Sequence, residues 1–252
     1  MTLSAETTFD HFSSLFNELA SLEAIQFSSD ISASQYLLAY RLVLEHARPG
    51  ASVLDWGSGE GHFSLFLLEQ GFKTTGFTIQ STCKLSEHLS DRFKDQYRLV
   101  SDPNAVSELC FADNEFDVVT SIGVLEHVRE PGGSEVASLQ EIRRILKPGG
   151  VFICYHFPNK YSWIEAISQY IEGKYSHTYK YTRKDIRQLL QVSNLELVET
   201  NRYGLLPRLV FRKMPDRAFV TECFNAADSA LSRLLSGVCQ NHYFVARKSI
   251  DS

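Results

Sequence analysis

Short apolar segments alternate with amphipathic ones between residues 52 and 155, and this alternation restricts the possible folds more than any other feature of the chain. The segments typical of strands are 52–56, 74–79, 97–100, 116–122 and 151–155, and those typical of helices are 62–70, 84–93 and 135–146. Strands that alternate with helices form a parallel sheet, because each helix returns the chain across one face of the sheet. The sequence therefore predicts an α/β fold with a doubly wound sheet that has helices on both faces.

The two ends of the chain differ from this centre. The N-terminal part contains two helical patterns, and the first of them places Phe12, Leu15, Phe16 and Leu19 on one face. The C-terminal part predicts a helix over 183–191, a strand over 195–202, a helical stretch over 226–235 and a last strand over 242–246. We expect seven strands with the last one antiparallel, a helical cap over 1–48 and a main domain over 49–252. Two insertions, 158–182 and 203–238, are expected to cover a substrate.

Charge and composition exclude several classes of protein. The 25 basic and 30 acidic side chains give a net charge of −5, which argues against a nucleic-acid partner. No apolar run is long enough for stable insertion into a membrane, and the first twenty residues have no basic cluster, so we expect a cytoplasmic protein. The five cysteines are widely spaced and include no C-x-x-C pair, so neither a disulfide framework nor a zinc site is predicted. The oligomeric state stays open.

The stretch "LDWGSGEGHF" places glycines at 57, 59 and 61, directly after the first predicted strand and its acidic residue Asp55. Glycine weakens regular structure, so three at alternate positions indicate positive φ angles or the close approach of a ligand. In a doubly wound sheet this turn lies where backbone N–H groups face a ligand. The dinucleotide pattern G-x-G-x-x-G would need glycine at position 62, where the chain has His62.

Three motifs occur in an order that resembles the class I S-adenosylmethionine-dependent methyltransferases. The glycine loop resembles the first motif of that family, "EFDVVTSIGVLEHV" (115–128) resembles its fourth strand and following turn, and "LQEIRRILKPGGVFICYHFPN" (139–159) resembles its next helix and fifth strand. The resemblance implies a Rossmann-like fold, S-adenosyl-L-methionine as the cofactor, and methyl transfer. A catalytically silent relative that only binds the cofactor is the alternative outside the enzymes.

The resemblance also implies a set of cofactor-binding residues. The second strand ends in "TTGFTIQS", where the family usually has an acid for the ribose hydroxyls and this chain has Thr78, with Gln80 two residues later. Such a variant resembles the branch that contains cyclopropane fatty acid synthases and several C- and N-methyltransferases. The expected cofactor-binding residues are Asp55, Trp56, Gly57, Gly59, Gly61, Thr78, Ile79, Gln80, Asp102 and Ile122.

The sequence "SIGVLEHV" bears on a metal ion. In quinone-biosynthesis O-methyltransferases the corresponding stretch begins E-x-x-E-H, and its acids hold a divalent cation near the substrate. Here Gly123 takes the first position, so only Glu126 and His127 remain. One carboxylate and one imidazole are too few ligands for an ion that prefers oxygen, and no required metal is predicted. The cyclopropane synthases likewise have glycine before the Glu-His pair, and this pair helps to hold a bicarbonate base. Their bicarbonate site uses a cysteine near the N-terminus as well, and this chain has none before Cys83, which argues against lipid cyclopropanation.

Methyl transfer from a sulfonium needs an oriented acceptor and, for a weakly acidic hydroxyl, a base. We expect His127 to be that base because it follows the fourth strand, with Glu126 and His156 as the other candidate catalytic residues. The candidate substrate residues are Tyr155, Tyr161, Trp163, His177 and Tyr179, most of them in the aromatic-rich insertion. The predicted reaction is methylation, at oxygen, of a small molecule or glycan precursor, with C- or N-methylation as the alternative.

The basic stretch 202–217 is best interpreted as a solvated face, although contact with an anionic substrate or a membrane surface stays open.

Overall fold

The computed structural model describes residues 15, 18, 19, 29–80, 83–103, 105, 108–171, 175–211 and 218–250. The described strands are β1 (Ser52–Trp56), β2 (Lys73–Thr78), β3 (Tyr97–Ser101), β4 (Phe116–Ile122), β5 (Leu146–Pro158), β6 (Glu196–Tyr203) and β7 (Asn241–Arg247). The described α-helices are α1 (Asp30–Ala33), α2 (Leu37–His46), α3 (His62–Glu69), α4 (Ser86–Phe93), α5 (Glu135–Ile145), α6 (Trp163–Ser168), α7 (Arg183–Val192), α8 (Arg208–Phe211) and α9 (Ala218–Leu234).

All seven strands belong to one sheet in the order β3-β2-β1-β4-β5-β7-β6. Strands β1 to β5 are parallel to one another, and β7 is antiparallel to both of its neighbours, β5 and β6. The sequence-based prediction of a Rossmann-like doubly wound sheet with an antiparallel last strand is confirmed. The strand order reverses beside β1, so the ends of β1 and β4 flank the switch point where ligands bind in such sheets.

The hydrophobic core divides into two clusters, one on each face of the sheet, because successive side chains of a strand point to opposite faces. Val53, Val118 and Ile153 belong to the cluster that contains α2 and α3. Leu54, Val119 and Phe152 belong to the cluster that contains α5 and α7. Helix α3 is buried at almost every position because α2 covers its outer side, where the Tyr40 ring stacks on Phe66 at 3.8 Å.

Two elements begin several residues earlier than the sequence predicted. Strand β5 begins at Leu146 instead of residue 151, because Leu146 pairs with Phe116 before the register shifts, so the Pro-Gly-Gly segment lies inside the strand. Helix α9 begins at Ala218 instead of residue 226. The short helices α1, α6 and α8 were not predicted, since four to six residues carry too little periodicity to be recognised.

The N-terminal region contributes to the first core cluster. Leu15 and Leu19 are each 3% exposed and pack in the cluster that holds Tyr40, whereas Phe12 and Phe16 of the predicted pattern lie outside the described residues. The basic residues 212–217 of the second insertion also lie outside them. None of the helices that the structure describes is both long and apolar enough to span a membrane.

Candidate active site

The glycine loop follows β1 at the carboxyl edge of the sheet. Gly57, Gly59 and Gly61 have φ angles of +80°, +52° and +92°, a region that strongly favours glycine. A Cβ on Gly57 would lie 2.3 Å from Cγ2 of Val124 after β4, and one on Gly61 would lie 3.2 Å from the Cys83 sulfur. The sequence indicated positive φ angles or the close approach of a ligand as the reason for these glycines, and the positive φ angles are confirmed. The structure adds a second reason, because the loop is pressed between neighbouring segments.

Asp55 and Trp56, the last two residues of β1, support the loop that follows them. The Oδ2 atom of Asp55 accepts a hydrogen bond from Ser64 Oγ at 2.7 Å, so the carboxyl group contacts the first turn of α3. Burial raises the pKa of Asp55 to about 6, although the hydrogen bonds from Ser64 oppose this effect. Trp56 is buried in the second core cluster. In this structure the two side chains hold the elements that flank the loop.

The other end of the expected cofactor site lies where β2 and β3 end. Thr78 is 3% exposed, and its hydroxyl oxygen accepts a hydrogen bond from the Gln80 N–H at 3.1 Å. Its carbonyl oxygen accepts from the Asp102 N–H at 3.1 Å. The Thr78 hydroxyl thus serves the turn itself, while Ile79 is 56% exposed and Gln80 is exposed. The structure brings these four residues together at the ends of β2 and β3, beside the loop.

A buried carboxyl group lies in the turn after β4. Ile122 ends the strand, and the next residue, Gly123, has φ +76° and donates its N–H to the Tyr155 carbonyl at 3.0 Å. Glu126 is 3% exposed, and burial raises its pKa to about 8. Its Oε2 atom has no hydrogen-bond partner among the described residues. A buried carboxyl oxygen without a partner is costly and indicates a group that a ligand completes.

Two histidines lie beside this carboxyl group, one from the turn after β4 and one from the first insertion. Nε2 of His127 is 3.9 Å from Oε1 of Glu126, and its Nδ1 is 2.9 Å from Oε1 of Glu130. The ring of His177 lies 5.6 Å from that of His127, and its Nδ1 is 3.0 Å from Oε1 of Glu165. We call Glu126, His127 and His177 the rim cluster. His127 and His177 are fifty residues apart in the sequence, so their contact could not be predicted from the sequence.

His156 occupies a different position from the rim cluster. Its φ of +68° is rare for a residue other than glycine, and it falls in the irregular stretch of β5 between Cys154 and Phe157. The backbone N–H donates to the Tyr203 hydroxyl oxygen at 2.9 Å, and Nδ1 lies 2.9 Å from the same oxygen. Burial, helped by the charge of Arg208, lowers the pKa of His156 to about 3, so the ring is neutral at physiological pH.

The predicted substrate residues do not form one group. The Tyr155 ring stacks on Tyr203 at 4.5 Å, and its hydroxyl donates to the Gln35 carbonyl. It lines a cavity of about 630 Å³ between α2, α9 and β6, to which Arg41, Arg202, Arg208 and Arg233 contribute. Trp163 donates its Nε1–H to the Leu205 carbonyl at 2.9 Å, which joins the two insertions. Tyr161 is 60% exposed, and Tyr179 lies under the Arg129 guanidinium at 4.8 Å.

Several residues that shape the site were missed in the sequence. Glu130 and Glu165 each hold one of the rim-cluster histidines, and Glu165 also accepts the His177 N–H at 3.0 Å. Burial raises the pKa of Glu165, but hydrogen bonds and charge from His177 outweigh it, so the pKa lies below its usual value. Tyr36 of the N-terminal part contacts the edges of His62 and His156. Of these residues, only Glu130 could have been found from the sequence, because a carboxylate three residues after His127 can contact its ring.

Comparison with known proteins gives a consistent family. A family profile described as a methyltransferase domain matches residues 32–200. The sterol 24-C-methyltransferase erg6 of Schizosaccharomyces pombe is 29% identical over 156 residues, which cover 60% of this chain and 38% of that protein. The ubiquinone biosynthesis O-methyltransferase of Pseudomonas paraeruginosa is 28% identical over 47% of this chain and 50% of that protein. The chain spans half or less of the length of the curated relatives it matches.

A solved structure agrees with this family over nearly the whole chain. The 1,6-didemethyltoxoflavin-N1-methyltransferase of Burkholderia thailandensis, with bound 1,6-didemethyltoxoflavin and S-adenosylhomocysteine, superposes with a TM-score of 0.58. It is 19% identical, and the match covers 99% of this chain and 92% of that one. At this identity the likeness supports the fold.

Proposed function

The chain belongs to the methyltransferase-domain family and is a class I S-adenosylmethionine-dependent methyltransferase, and we propose that it methylates a small molecule or glycan precursor at oxygen. The observation that carries the proposal is the rim cluster, which places two imidazoles and a buried carboxyl group beside the end of β4. This position is next to the glycine loop, since Val124 between Gly123 and the cluster touches Gly57. A net charge of −5 favours a small acceptor over nucleic acid.

We infer that the methionine part of the cofactor lies on the glycine loop and the end of β4, at Ile122. Loops of this kind present N–H groups and a helix N-terminus to a ligand. The ribose is proposed to lie at the ends of β2 and β3, against Ile79, Gln80 and Asp102. Because the hydroxyl of Thr78 and the carboxyl of Asp55 are engaged within the protein, we propose that both residues support the site through the backbone they hold.

The acceptor hydroxyl is proposed to lie against the rim cluster. Its oxygen forms a bond to the methyl carbon while the carbon–sulfur bond breaks, and the electron pair of that bond stays on sulfur. Nε2 of His127 accepts the proton of the hydroxyl, because Nδ1 is held by Glu130 and Nε2 therefore faces Glu126. Most of the rate enhancement in such a displacement comes from orientation and the exclusion of water.

Methylation at carbon or nitrogen is the second candidate, because the relatives include a sterol C-methyltransferase and an N1-methyltransferase. The insertions 158–182 and 203–238 are proposed as the parts that select the acceptor, and the hydrogen bond between Trp163 and Leu205 supports a joint role. The cytoplasmic location stays a prediction from the sequence.

The proposed function is tested with cofactor that carries a ¹³C-labelled methyl group. The protein is incubated with fractionated metabolite extract, and labelled products are identified by mass spectrometry and carbon NMR. We expect one low-mass product with the label on oxygen, and no product from Gly57→Val protein in the same extract. A label on carbon or nitrogen would support the second candidate, and a label confined to macromolecules would contradict a small acceptor.

A further inference from the structure

The rim cluster has the composition of a metal site. One carboxylate oxygen of Glu126 and one nitrogen each of His127 and His177 lie within 4.8 Å of one another. The sequence predicted no required metal because it offered two of these ligands, Glu126 and His127. The third comes from the first insertion, which the fold brings over the end of β4.

The two histidines are oriented as metal ligands usually are. Nδ1 of His127 is 2.9 Å from the Glu130 carboxylate, and Nδ1 of His177 is 3.0 Å from the Glu165 carboxylate. Metal-binding histidines nearly always have their second nitrogen held by a carboxylate or carbonyl oxygen, which fixes the tautomer and the ring direction. With both Nδ1 atoms occupied, Nε2 is the ligating nitrogen of each ring. Glu165 is itself 2% exposed and fixed by the Ser162 cap of its helix.

Glu126 supplies an independent observation. It is 3% exposed, and its Oε2 atom has no hydrogen-bond partner among the described residues, while an oxygen of the same carboxyl group lies within 4.8 Å of a nitrogen of each imidazole. Burial of an unpaired carboxyl oxygen carries a large desolvation cost. A cation in the cluster would remove this cost, whereas a purely structural arrangement leaves it in place.

We propose that Glu126, His127 and His177 bind one divalent transition-metal ion, Zn²⁺ or a similar ion, with a position left open for the oxygen of the acceptor. Two imidazoles and one carboxylate suit zinc and its neighbours better than Mg²⁺ or Ca²⁺, which prefer oxygen ligands alone. Bonds of about 2.0–2.1 Å place ligands roughly 3.3 Å apart in a tetrahedral site. The 3.9 Å between His127 Nε2 and Glu126 Oε1 closes to that value with a small side-chain movement.

With the ion bound, Nε2 of His127 would be a ligand and could not accept a proton, so the role of base belongs to the ion-free protein. The ion would supply Lewis-acid chemistry, since a hydroxyl next to it would lose its proton to solvent more easily. This catalytic role rests on the proposed function, but binding of the ion does not. The two claims therefore fail separately.

Ion binding is measured on protein stripped with a chelator and then desalted. Zn²⁺ is titrated calorimetrically, and Co²⁺ is added as a visible absorption probe of the ligand set. We expect one equivalent of Zn²⁺ to bind, with affinity at least roughly 100-fold weaker in His177→Ala and Glu126→Gln and about 10-fold to 100-fold weaker in Glu165→Gln. The control His46→Ala, which removes a histidine beside Glu199 on another part of the surface, should bind like the wild type.

Circular dichroism and S-adenosylhomocysteine binding are recorded for every variant. A folded His177→Ala protein that binds Zn²⁺ like the wild type would overturn the site, as would the absence of saturable binding at one equivalent. Zn²⁺ binding with the expected variant pattern in a protein that fails to transfer methyl groups would support the site and contradict the proposed function.

Discussion

The buried carboxyl group of Asp55 makes the stability of the fold depend on pH in a direction that can be measured. The side chain is 1% exposed, and burial raises its pKa to about 6 against about 3.9 in an unfolded chain. The folded protein therefore binds this proton more tightly than the unfolded chain does. As the pH rises from about 4 to about 6, the free energy of unfolding falls, by up to about 3 kcal/mol at 1.36 kcal/mol per pH unit.

The substitution Asp55→Asn removes this ionisation and keeps an oxygen that accepts the Ser64 hydroxyl. Below about pH 3.5, under the unfolded pKa, the variant and the wild type should have similar free energies of unfolding. Above pH 7 the variant should be more stable, by up to about 3 kcal/mol. Urea unfolding without cofactor, followed by circular dichroism at several pH values, measures the difference.

Asp117→Asn is the matched control. Asp117 accepts hydrogen bonds from Ser52 and Lys147, and although burial opposes them, these contacts lower its pKa. Its carboxylate therefore stabilises the fold above the unfolded pKa, and this variant should be less stable than the wild type at neutral pH. If the difference between Asp55→Asn and wild type does not grow with pH, the reasoning about the buried carboxyl is wrong.

Three further substitutions test the loop, the rim cluster and the irregular part of β5. Gly57→Val should lose S-adenosylhomocysteine binding and be less stable than Gly50→Val by about 1–3 kcal/mol, because both have positive φ but only a Cβ at 57 meets a side chain at 2.3 Å; wild-type affinity in the folded variant would contradict this. His127→Ala should lower turnover by roughly 10²-fold to 10⁴-fold in steady-state kinetics with little change in cofactor affinity, and near-normal turnover would remove it from the reaction. Tyr203→Phe removes the hydroxyl that contacts His156 twice, and urea unfolding should show a loss of about 1–2 kcal/mol; unchanged stability would show that the contacts contribute nothing.

The sheet was predictable because local patterns determine it. Short stretches of neighbouring residues encode the glycine loop with its glycines at 57, 59 and 61, strand-type segments such as 116–122, and the helix that starts at Glu135. The prediction of where β5 begins was wrong, because pairing of Leu146 with Phe116 is a tertiary contact that overrides the turn signal of Pro-Gly-Gly.

The candidate site was less predictable because side chains from distant segments form it. The sequence singled out His177 but gave no sign that it meets His127, and Glu165 carried no signal at all. Thr78 was selected by its place at the end of a strand, yet its hydroxyl is engaged by the following turn. Strand ends can be located from sequence, whereas the direction of each side chain depends on the packing around it.

The most direct test of the central claim is calorimetric titration of the purified protein with S-adenosylhomocysteine, and separately with NAD. The glycine loop, with His62 where a dinucleotide fold needs glycine, predicts binding of S-adenosylhomocysteine with affinity in the micromolar range and much weaker or absent binding of NAD. Tighter binding of NAD than of S-adenosylhomocysteine would contradict the assignment of this site to methyl transfer.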